Sequence, residues 1–212
     1  LVKELREGNV NDNILLWVES IIEKYNPVSV GIGVPGLMSK LRTSIIEVEA
    51  LPEIEGNEFI HGLKSKFPNQ VFYFENDANA AALGTHKFCD NVDTDTFGYI
   101  TIGTGIGSAV VLNGNLYLGE NGNGPELGMI TLSGHKTIDE TSAKDGILGI
   151  CKKLHSTYAK TTTIGLKNLT PKKLFTAASQ NDALALKVFE MAGVDIGRAL
   201  AVFIMLFDLS TI

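Results

Sequence analysis

Residues 71–84 have the sequence VFYFENDANAAALG, in which an apolar run is followed by an acid–amide pair and then by an alanine-rich run. The apolar run, residues 70–74, predicts a β-strand, and residues 78–87 predict a helix. The pair Asn76-Asp77 therefore lies where the strand passes into the helix. A carboxylate at such a strand end can accept the proton of an attacking hydroxyl, which phosphoryl transfer to an alcohol requires.

A second motif, Gly103-Thr104-Gly105-Ile106-Gly107, lies about one strand further on, between two β-like runs. Glycines let a backbone approach phosphates closely, so the amides of this motif and the Thr104 hydroxyl are candidate ATP ligands. A β-turn without a ligand is the alternative, and the motif alone favours it. The motif is not a dinucleotide-binding fingerprint, because a β-like run follows where a helix should begin.

The rest of the chain alternates helical and β-like segments. Apolar periodicity predicts helices over residues 1–25, 57–67, 143–156, 171–178 and 181–207. Apolar runs predict strands over residues 28–34 and 44–49 and a β-meander over residues 97–102, 108–112 and 116–118. The turn Asn113-Gly114-Asn115 is a typical hairpin signal. Alternating elements followed by antiparallel strands indicate a mixed α/β sheet.

The composition bounds the class of protein. The 212 residues are 44% hydrophobic and 20% charged, close to the average of soluble globular proteins. A net charge of −6 argues against sequence-independent nucleic-acid binding, and no apolar run reaches the ~20 residues that span a bilayer. Cys89 and Cys151 lack metal or redox spacing, which is typical of reduced thiols. We therefore expect a cytoplasmic protein with neither a nucleic-acid nor a membrane partner.

Two further motifs complete an ordered set with those above: Gly31-Ile32-Gly33-Val34-Pro35-Gly36 upstream and Pro125-Glu126-Leu127-Gly128 downstream. Over residues 28–150 this set resembles the ROK family of repressors, open reading frames and sugar kinases. The resemblance implies a duplicated actin-like ATPase or ribonuclease H-like α/β fold, with two lobes and a cleft between them. Residues 1–91 would belong to the N-terminal lobe, with the sugar and the base, and residues 92–212 to the C-terminal lobe, with the phosphate turn.

The two ends of the chain lack features that the resemblance implies. The family's N-terminal Asp-x-Gly-Gly-Thr phosphate loop should precede residue 1, and its Gly-Gly adenosine loop should follow residue 212. The apolar run 199–209 also stops without a polar tail. We expect from this that the chain is truncated at both ends.

The resemblance also implies roles for single residues. Asp77 would be the general base, with a helix N-cap as the structural alternative, and Asn76 would hold a sugar hydroxyl through its amide. Gly36 would let the sugar lie against the backbone, the alternative being a plain Pro-Gly turn. Glu126 matches a sugar-binding glutamate of the family. Glu140 resembles a second one, although a surface glutamate fits that position as well.

The family's zinc site is the main departure. Met129 occupies the position of a histidine that binds both sugar and zinc in the family, and residues 130–142 contain none of the cluster's cysteines. A lone His135 cannot form a four-ligand structural site, so we predict no zinc. Methionine offers no strong hydrogen bond, which predicts looser discrimination at that sugar hydroxyl and room for 2-amino or 2-acetamido sugars.

The leading hypothesis is an ATP- and Mg²⁺-dependent kinase that phosphorylates a hexose, as a glucokinase or a broad-specificity hexokinase, with Asp77 as base. One alternative is a ROK-type sugar-sensing repressor, although the chain contains no DNA-binding helix-turn-helix before the sugar domain. Another is a non-catalytic sugar-binding protein descended from a kinase. The sequence does not decide which hexose is the substrate. It also leaves open whether the protein forms a homodimer, which the small residues of the last helix would accommodate.

Overall fold

A computed structural model describes residues 8–48, 51–89, 94–132 and 134–212. The chain forms two compact units, one of Leu1–Asp93 with Val110–Pro125 and one of Thr94–Ala109 with Glu126–Ile212. The predicted lobe boundary between residues 91 and 92 lies outside the described residues and stays a prediction. Each unit is described by itself below.

The first unit begins with helices and short strands in alternation. Its elements are α1 (Val10–Tyr25), β1 (Ser29–Val34), β2 (Leu37–Met38), β3 (Ile45–Glu47), a 3-10 turn (Pro52–Ile54), α2 (Glu58–Lys66), β4 (Val71–Asn76) and α3 (Asp77–Phe88). Strands β1 and β4 pair in parallel, whereas β2 and β3 form an antiparallel pair. The predicted strands 28–34 and 70–74 are confirmed, and β2 is an element that the sequence pattern did not indicate.

Local chemistry sets where α1 begins and ends. The Asn9 side chain accepts a hydrogen bond from the Asp12 amide at the N-terminus. At the other end Asn26 adopts the left-handed conformation, with φ 41°, and its amide donates to the Ile22 carbonyl at 2.8 Å, just before Pro27. Residues 1–7 of the predicted first helix lie outside the described residues.

The core of the first unit lies where α1 and α2 pack with the strands. Phe74 of β4 contributes an edge-to-face contact with Phe59 of α2, with ring centroids 6.4 Å apart. The core consists of the buried residues Val18, Ile22, Val34, Met38, Ile45, Val48, Ile54, Phe59, Ile60, Leu63 and Phe74. This packing holds the C-terminal ends of β1 and β4 side by side, and each of those strands runs directly into a candidate site motif.

A three-stranded sheet follows in the order β5 (Phe97–Ile102), β6 (Ile106–Leu112) and β7 (Asn115–Leu116). Asn113 and Gly114 both have positive φ, 51° and 75°, as a tight hairpin turn requires. The predicted meander is confirmed, but β6 begins two residues earlier than expected. Its start at Ile106 leaves only Gly103, Thr104 and Gly105 between β5 and β6.

The second unit also contains a 3-10 turn (Leu127–Met129), α4 (Ile138–Ser142), α5 (Lys144–Leu154), α6 (Pro171–Ser179) and α7 (Ala183–Phe207). Its helical core contains Ile147, Cys151, Leu174, Ala177, Leu184, Ala185, Val188 and Ala192. Gly98 of β5 admits the C-terminal part of α7, because a Cβ there would lie 2.8 Å from the Phe203 ring. No helix of the described residues is sufficiently long and apolar to cross a membrane.

Candidate functional site

The C-terminal ends of β1 and β4 bring Gly36, Asn76 and Asp77 together in the first unit. The parallel register pairs Val34 with Asn76, so the turns that follow the two strands are neighbours. The Asn76 Nδ2 donates to the Gly36 carbonyl at 3.1 Å. Three of the residues predicted from separate motifs are therefore joined at one sheet edge.

Asn76 is the N-cap of α3, because its Oδ1 accepts a hydrogen bond from the Asn79 amide at 3.0 Å. The bonds of Asn76 Nδ2 to the Gly36 carbonyl and of Asn76 Oδ1 to the Asn79 amide fix the orientation of the side-chain amide. A side-chain amide offers two N–H groups and two acceptor positions, so one of each remains for a ligand. The expected role of Asn76 toward a sugar hydroxyl is thus compatible with its role in the fold.

Asp77 occupies the first position of α3 and is exposed. Its Oδ1 accepts from the Ala78 amide at 2.9 Å. A carboxylate is favoured at this end of a helix, where unpaired N–H groups and the helix dipole carry positive charge. Asn76, not Asp77, is therefore the N-cap residue, but the hydrogen bond from the Ala78 amide still gives Asp77 a structural role at the helix N-terminus. The role of Asp77 as general base stays a prediction.

Gly36 is required by internal packing. It has φ 130°, and a Cβ there would lie 2.1 Å from the Glu47 carbonyl oxygen and 3.0 Å from Val48. A side chain would therefore clash with the backbone of the same unit rather than with a ligand. The close approach of a sugar to Gly36 stays a prediction with no support from this geometry.

An ion pair behind the Asn76-Asp77 turn was not anticipated from the sequence. Glu75 receives a bidentate hydrogen bond from Arg42, with Nη2 at 2.7 Å from Oε1 and Nε at 3.1 Å from Oε2. The same Oε1 accepts from the Asn76 amide at 2.9 Å and from the Asn79 Nδ2 at 3.0 Å. The only sequence signal was an acidic residue directly before the pair, and its partner is 33 residues away.

The glycine turn of the second unit is braced by an acidic side chain. The Gly103 amide donates to the Gly105 carbonyl at 2.8 Å, and the Ile106 amide donates to the Asp139 carboxylate. A Cβ at Gly105 would lie 2.9 Å from Asp139 Oδ1, whereas a Cβ at Gly103 would stand in open space. The turn is thus open on the Gly103 side, and two of its amides already donate within the protein.

The segment that contains Glu126 packs against β6. The Leu127 amide donates to the Ser108 hydroxyl at 2.8 Å, and a Cβ at Gly128 would lie 2.3 Å from the Ile106 carbonyl oxygen. Glu126 is half-buried, and Met129 is exposed. Glu126 and the glycine turn are therefore both anchored on β6.

Glu140 takes part in a capping box at the start of α4. Its Oε2 accepts from the Thr137 amide at 2.9 Å, while the Thr137 hydroxyl accepts from the Glu140 amide at 3.2 Å. Glu140 is exposed. This arrangement accounts for the residue without a ligand, so its role in sugar binding stays a prediction.

No three His, Cys, Asp or Glu side chains in the part of the chain that the structure describes are grouped so as to hold a metal ion. Kinases hold Mg²⁺ largely through the phosphates of ATP and one or two carboxylates, with several waters. Exposed Asp77 is a carboxylate of that kind. The donor chemistry is compatible with Mg²⁺ carried by the nucleotide.

Comparison with protein families gives a match to the ROK family over residues 7–212. The chain belongs to the ROK family. It is 28% identical to the glucokinase of Thermotoga maritima over 96% of the chain and 69% of that protein. It is also 23% identical to the xylose repressor of Caldicellulosiruptor bescii over 83% of the chain and 48% of the repressor.

A third ROK relative, the N-acetyl-D-glucosamine kinase of Haemophilus influenzae, is 31% identical over 56% of the chain and 41% of that kinase. The chain therefore spans less than half of this kinase and of the repressor. Kinases and repressors both occur among the relatives, so membership of the family leaves the choice between them open.

Solved ROK structures agree with the fold. A Cytophaga hutchinsonii protein assigned as a sugar kinase superposes with a TM-score of 0.80 at 34% identity, over 94% of the chain and 67% of that structure. A ROK transcriptional regulator, a homologue of the E. coli MLC protein, has a TM-score of 0.80 at 22% identity, over 94% and 54%. The chain has the actin-like ATPase fold of the ROK sugar kinases, as the resemblance of its motifs to the family implied.

Proposed function

We propose that this ROK protein phosphorylates a hexose with ATP, with Asp77 as the general base. The observation that carries the proposal is the exposed Asp77 carboxylate, which lies beside the anchored Asn76 amide at the C-terminal ends of two parallel strands. Substrate sites of α/β sheets commonly lie at this edge. The similarity to the T. maritima glucokinase supports the reaction class.

The chemistry follows from these groups. A sugar hydroxyl near Asp77 would transfer its proton to the carboxylate as its oxygen bonds to the γ-phosphorus, while the bond to the ADP oxygen breaks. The free donor and acceptor positions of Asn76 would orient the sugar. Such positioning matters because phosphoryl transfer is catalysed mainly by geometry and charge stabilisation.

The glycine turn would receive the phosphates of ATP on its open side, at Gly103 and Thr104. Among the described residues, and apart from the neighbours Ile102 and Thr104, no atom lies within 4 Å of a Cβ built at Gly103, which supports this assignment. Gly105 and Gly107 complete the turn and its entry into β6. Mg²⁺ bound with ATP would neutralise the charge that develops on the transferred phosphoryl group.

The sugar class is the finer part of the proposal. Glu126 and Glu140 would contact sugar hydroxyls. Exposed Met129 would leave one sugar hydroxyl without a hydrogen-bond partner. Similarity to an N-acetyl-D-glucosamine kinase supports room for a 2-acetamido group. We expect phosphorylation of both glucose and 2-substituted hexoses; strict rejection of the 2-substituted sugars would remove Met129 from a specificity role.

The second candidate is a sugar-sensing repressor that binds the sugar without phosphorylating it, and the similarity to the xylose repressor favours it. In that case Asp77 and Asn76 would act as sugar ligands only. The two candidates differ in one measurable property, which is turnover.

The test is a coupled ADP-release assay on the full gene product, with ATP, Mg²⁺ and a panel of hexoses. For Asp77→Asn we expect kcat to fall by at least about 100-fold while sugar affinity, measured by calorimetry, changes little. Asp145→Asn is the matched control, because Asp145 is also exposed in the first turn of a helix. Retained turnover in Asp77→Asn would remove Asp77 from the base role, and sugar binding without turnover in the unaltered protein would establish the sensor.

A further inference from the structure

The loop between β2 and β3 is bonded to the turn that carries Asn76 and Asp77. Arg42 in this loop forms the bidentate ion pair with Glu75, and both side chains are mostly buried, at 15% and 21% exposure. Charge-assisted bidentate bonds of this kind fix geometry as well as adding energy. The pair therefore links two segments that are 33 residues apart.

The Glu75 carboxylate passes this link on to the turn. Its Oε1 contacts the Arg42 guanidinium and also accepts from the Asn76 amide and from the Nδ2 of Asn79, which is fully buried. The Asn79 amide in turn donates to the Asn76 cap. One oxygen thus holds the backbone and, through Asn79, the capping side chain of the residue before Asp77.

Arg42 is itself held in an unusual conformation. Its φ of 56° is uncommon for a residue other than glycine. The Ser39 carbonyl accepts from the Arg42 amide at 2.8 Å and from Nη1 at 3.2 Å, and the Ser39 hydroxyl accepts from the amides of Thr43 and Ser44. The loop is therefore built to present the guanidinium to Glu75.

We propose that Arg42 is a positioning residue for the Asn76-Asp77 turn, acting through Glu75. This inference rests on the proposed function for its catalytic meaning. Without the guanidinium, a half-buried Glu75 carboxylate loses its counter-charge and turns toward water. The Asn76 amide and the Asn79 side chain then lose their acceptor, and Asp77 loses its fixed direction.

The experiment compares Arg42→Met with Arg42→Lys in the full gene product, because lysine keeps the positive charge but cannot donate the bidentate hydrogen bonds of a guanidinium. Lys40→Met is the matched control: it removes the exposed ion pair with Glu120 from the same loop, with side chains 59% and 92% exposed. Hydrogen exchange of the Asn76 and Asn79 amides is the first readout. We expect at least a tenfold acceleration in Arg42→Met, a smaller one in Arg42→Lys, and none in Lys40→Met.

Steady-state kinetics give the second readout. A displaced base lowers kcat by about 10- to 100-fold, with a smaller rise in KM for the sugar, and Arg42→Lys restores part of kcat. Unchanged exchange at Asn76 and Asn79 in Arg42→Met overturns the inference whatever the activity, and so does acceleration spread evenly over the first unit. Failure of the unaltered protein to release ADP with any sugar overturns the proposed function instead, while the exchange data still decide whether Arg42 positions the turn.

Discussion

The deepest acidic side chain of the second unit, Asp182, gives the sharpest stability prediction. It is 6% exposed and caps α7, with Oδ1 accepting from the Leu184 and Ala185 amides at 3.0 and 3.1 Å. Its Oδ2 accepts from the Thr163 amide at 2.7 Å, and the Thr162 hydroxyl donates to both oxygens. One carboxylate thus joins α7 to the segment before α6.

Asp182→Ala would leave these donors without an acceptor. The Leu184 and Ala185 residues are fully buried, so their amides cannot turn to water, whereas exposed Thr163 can. Each orphaned buried N–H costs about 1–3 kcal/mol and loss of an N-cap about 1 kcal/mol, and these overlap. We expect the free energy of unfolding of the second unit to fall by about 2–4 kcal/mol.

The pH dependence of stability tests the same site. Burial by itself would raise the pKa of Asp182, but the hydrogen bonds from Thr163, Ala185 and Thr162 outweigh it and lower that pKa below its ordinary value. The folded protein therefore binds fewer protons here than the unfolded chain. The stabilisation is complete above the unfolded pKa of about 3.9 and is lost as pH falls through the lower folded pKa.

Urea unfolding followed by circular dichroism, from pH 7 down to about pH 3, measures both effects. The control is Asp195→Ala, which removes only a weak 3.6 Å pair with Arg198 on the same helix and should change stability by less than about 0.5 kcal/mol. The difference between the unaltered protein and Asp182→Asn should be constant above about pH 5 and shrink below about pH 4. Equal losses in Asp182→Ala and Asp195→Ala, or a pH-independent difference for Asp182→Asn, would refute the reasoning.

Three further predictions concern the candidate site. Gly36→Ala should destabilise the first unit by more than about 2 kcal/mol in thermal or urea unfolding, because at φ 130° the new Cβ would lie 2.1 Å from the Glu47 carbonyl oxygen. Gly84→Ala is the control: no atom of the described residues outside its immediate surroundings lies within 4 Å of the new Cβ, so this change should be neutral or stabilising. Gly103→Ala should leave unfolding unchanged but raise KM for ATP by about tenfold, since the methyl group occupies the open side of the turn; an unchanged KM would exclude that side for phosphate. Asp139→Asn keeps an acceptor for the Ile106 amide and should retain ATP binding, whereas Asp139→Ala should weaken it in calorimetry; equal affinities would show that the brace is dispensable.

Local patterns were sufficient for most elements of the fold. The 3.6-residue periodicity of Val18 and Ile22 and the apolar runs at β1 and β4 led to elements that the structure confirms. The asparagine-glycine turn at residues 113–114 likewise agrees with the observed hairpin. These succeed because the relevant interactions act within a few residues along the chain.

Element boundaries and partners were less accessible. The sequence pattern did not indicate β2 or the separate helix α4, because both are very short, and β2 is also held by a neighbour distant in the chain. The β2 amide of Met38, for example, donates to Asn123 at 2.9 Å, 85 residues away. Asp139 was likewise not singled out, since its partner at Ile106 depends on how α4 meets the glycine turn.

The sequence by itself determined the family, the α/β class and the candidate residues, because motif order and hydrophobic period are properties of the chain alone. The tertiary structure decided which of those residues meet: the parallel register of β1 and β4 joins Gly36 to Asn76 and leaves Asp77 exposed at the same edge. It also decided that Gly36 is required by packing against Glu47, that Glu140 takes part in a helix capping box, and that Arg42 forms an ion pair with Glu75. Contacts between distant segments carry no local sequence signal, since they arise only when the core has brought their strands together.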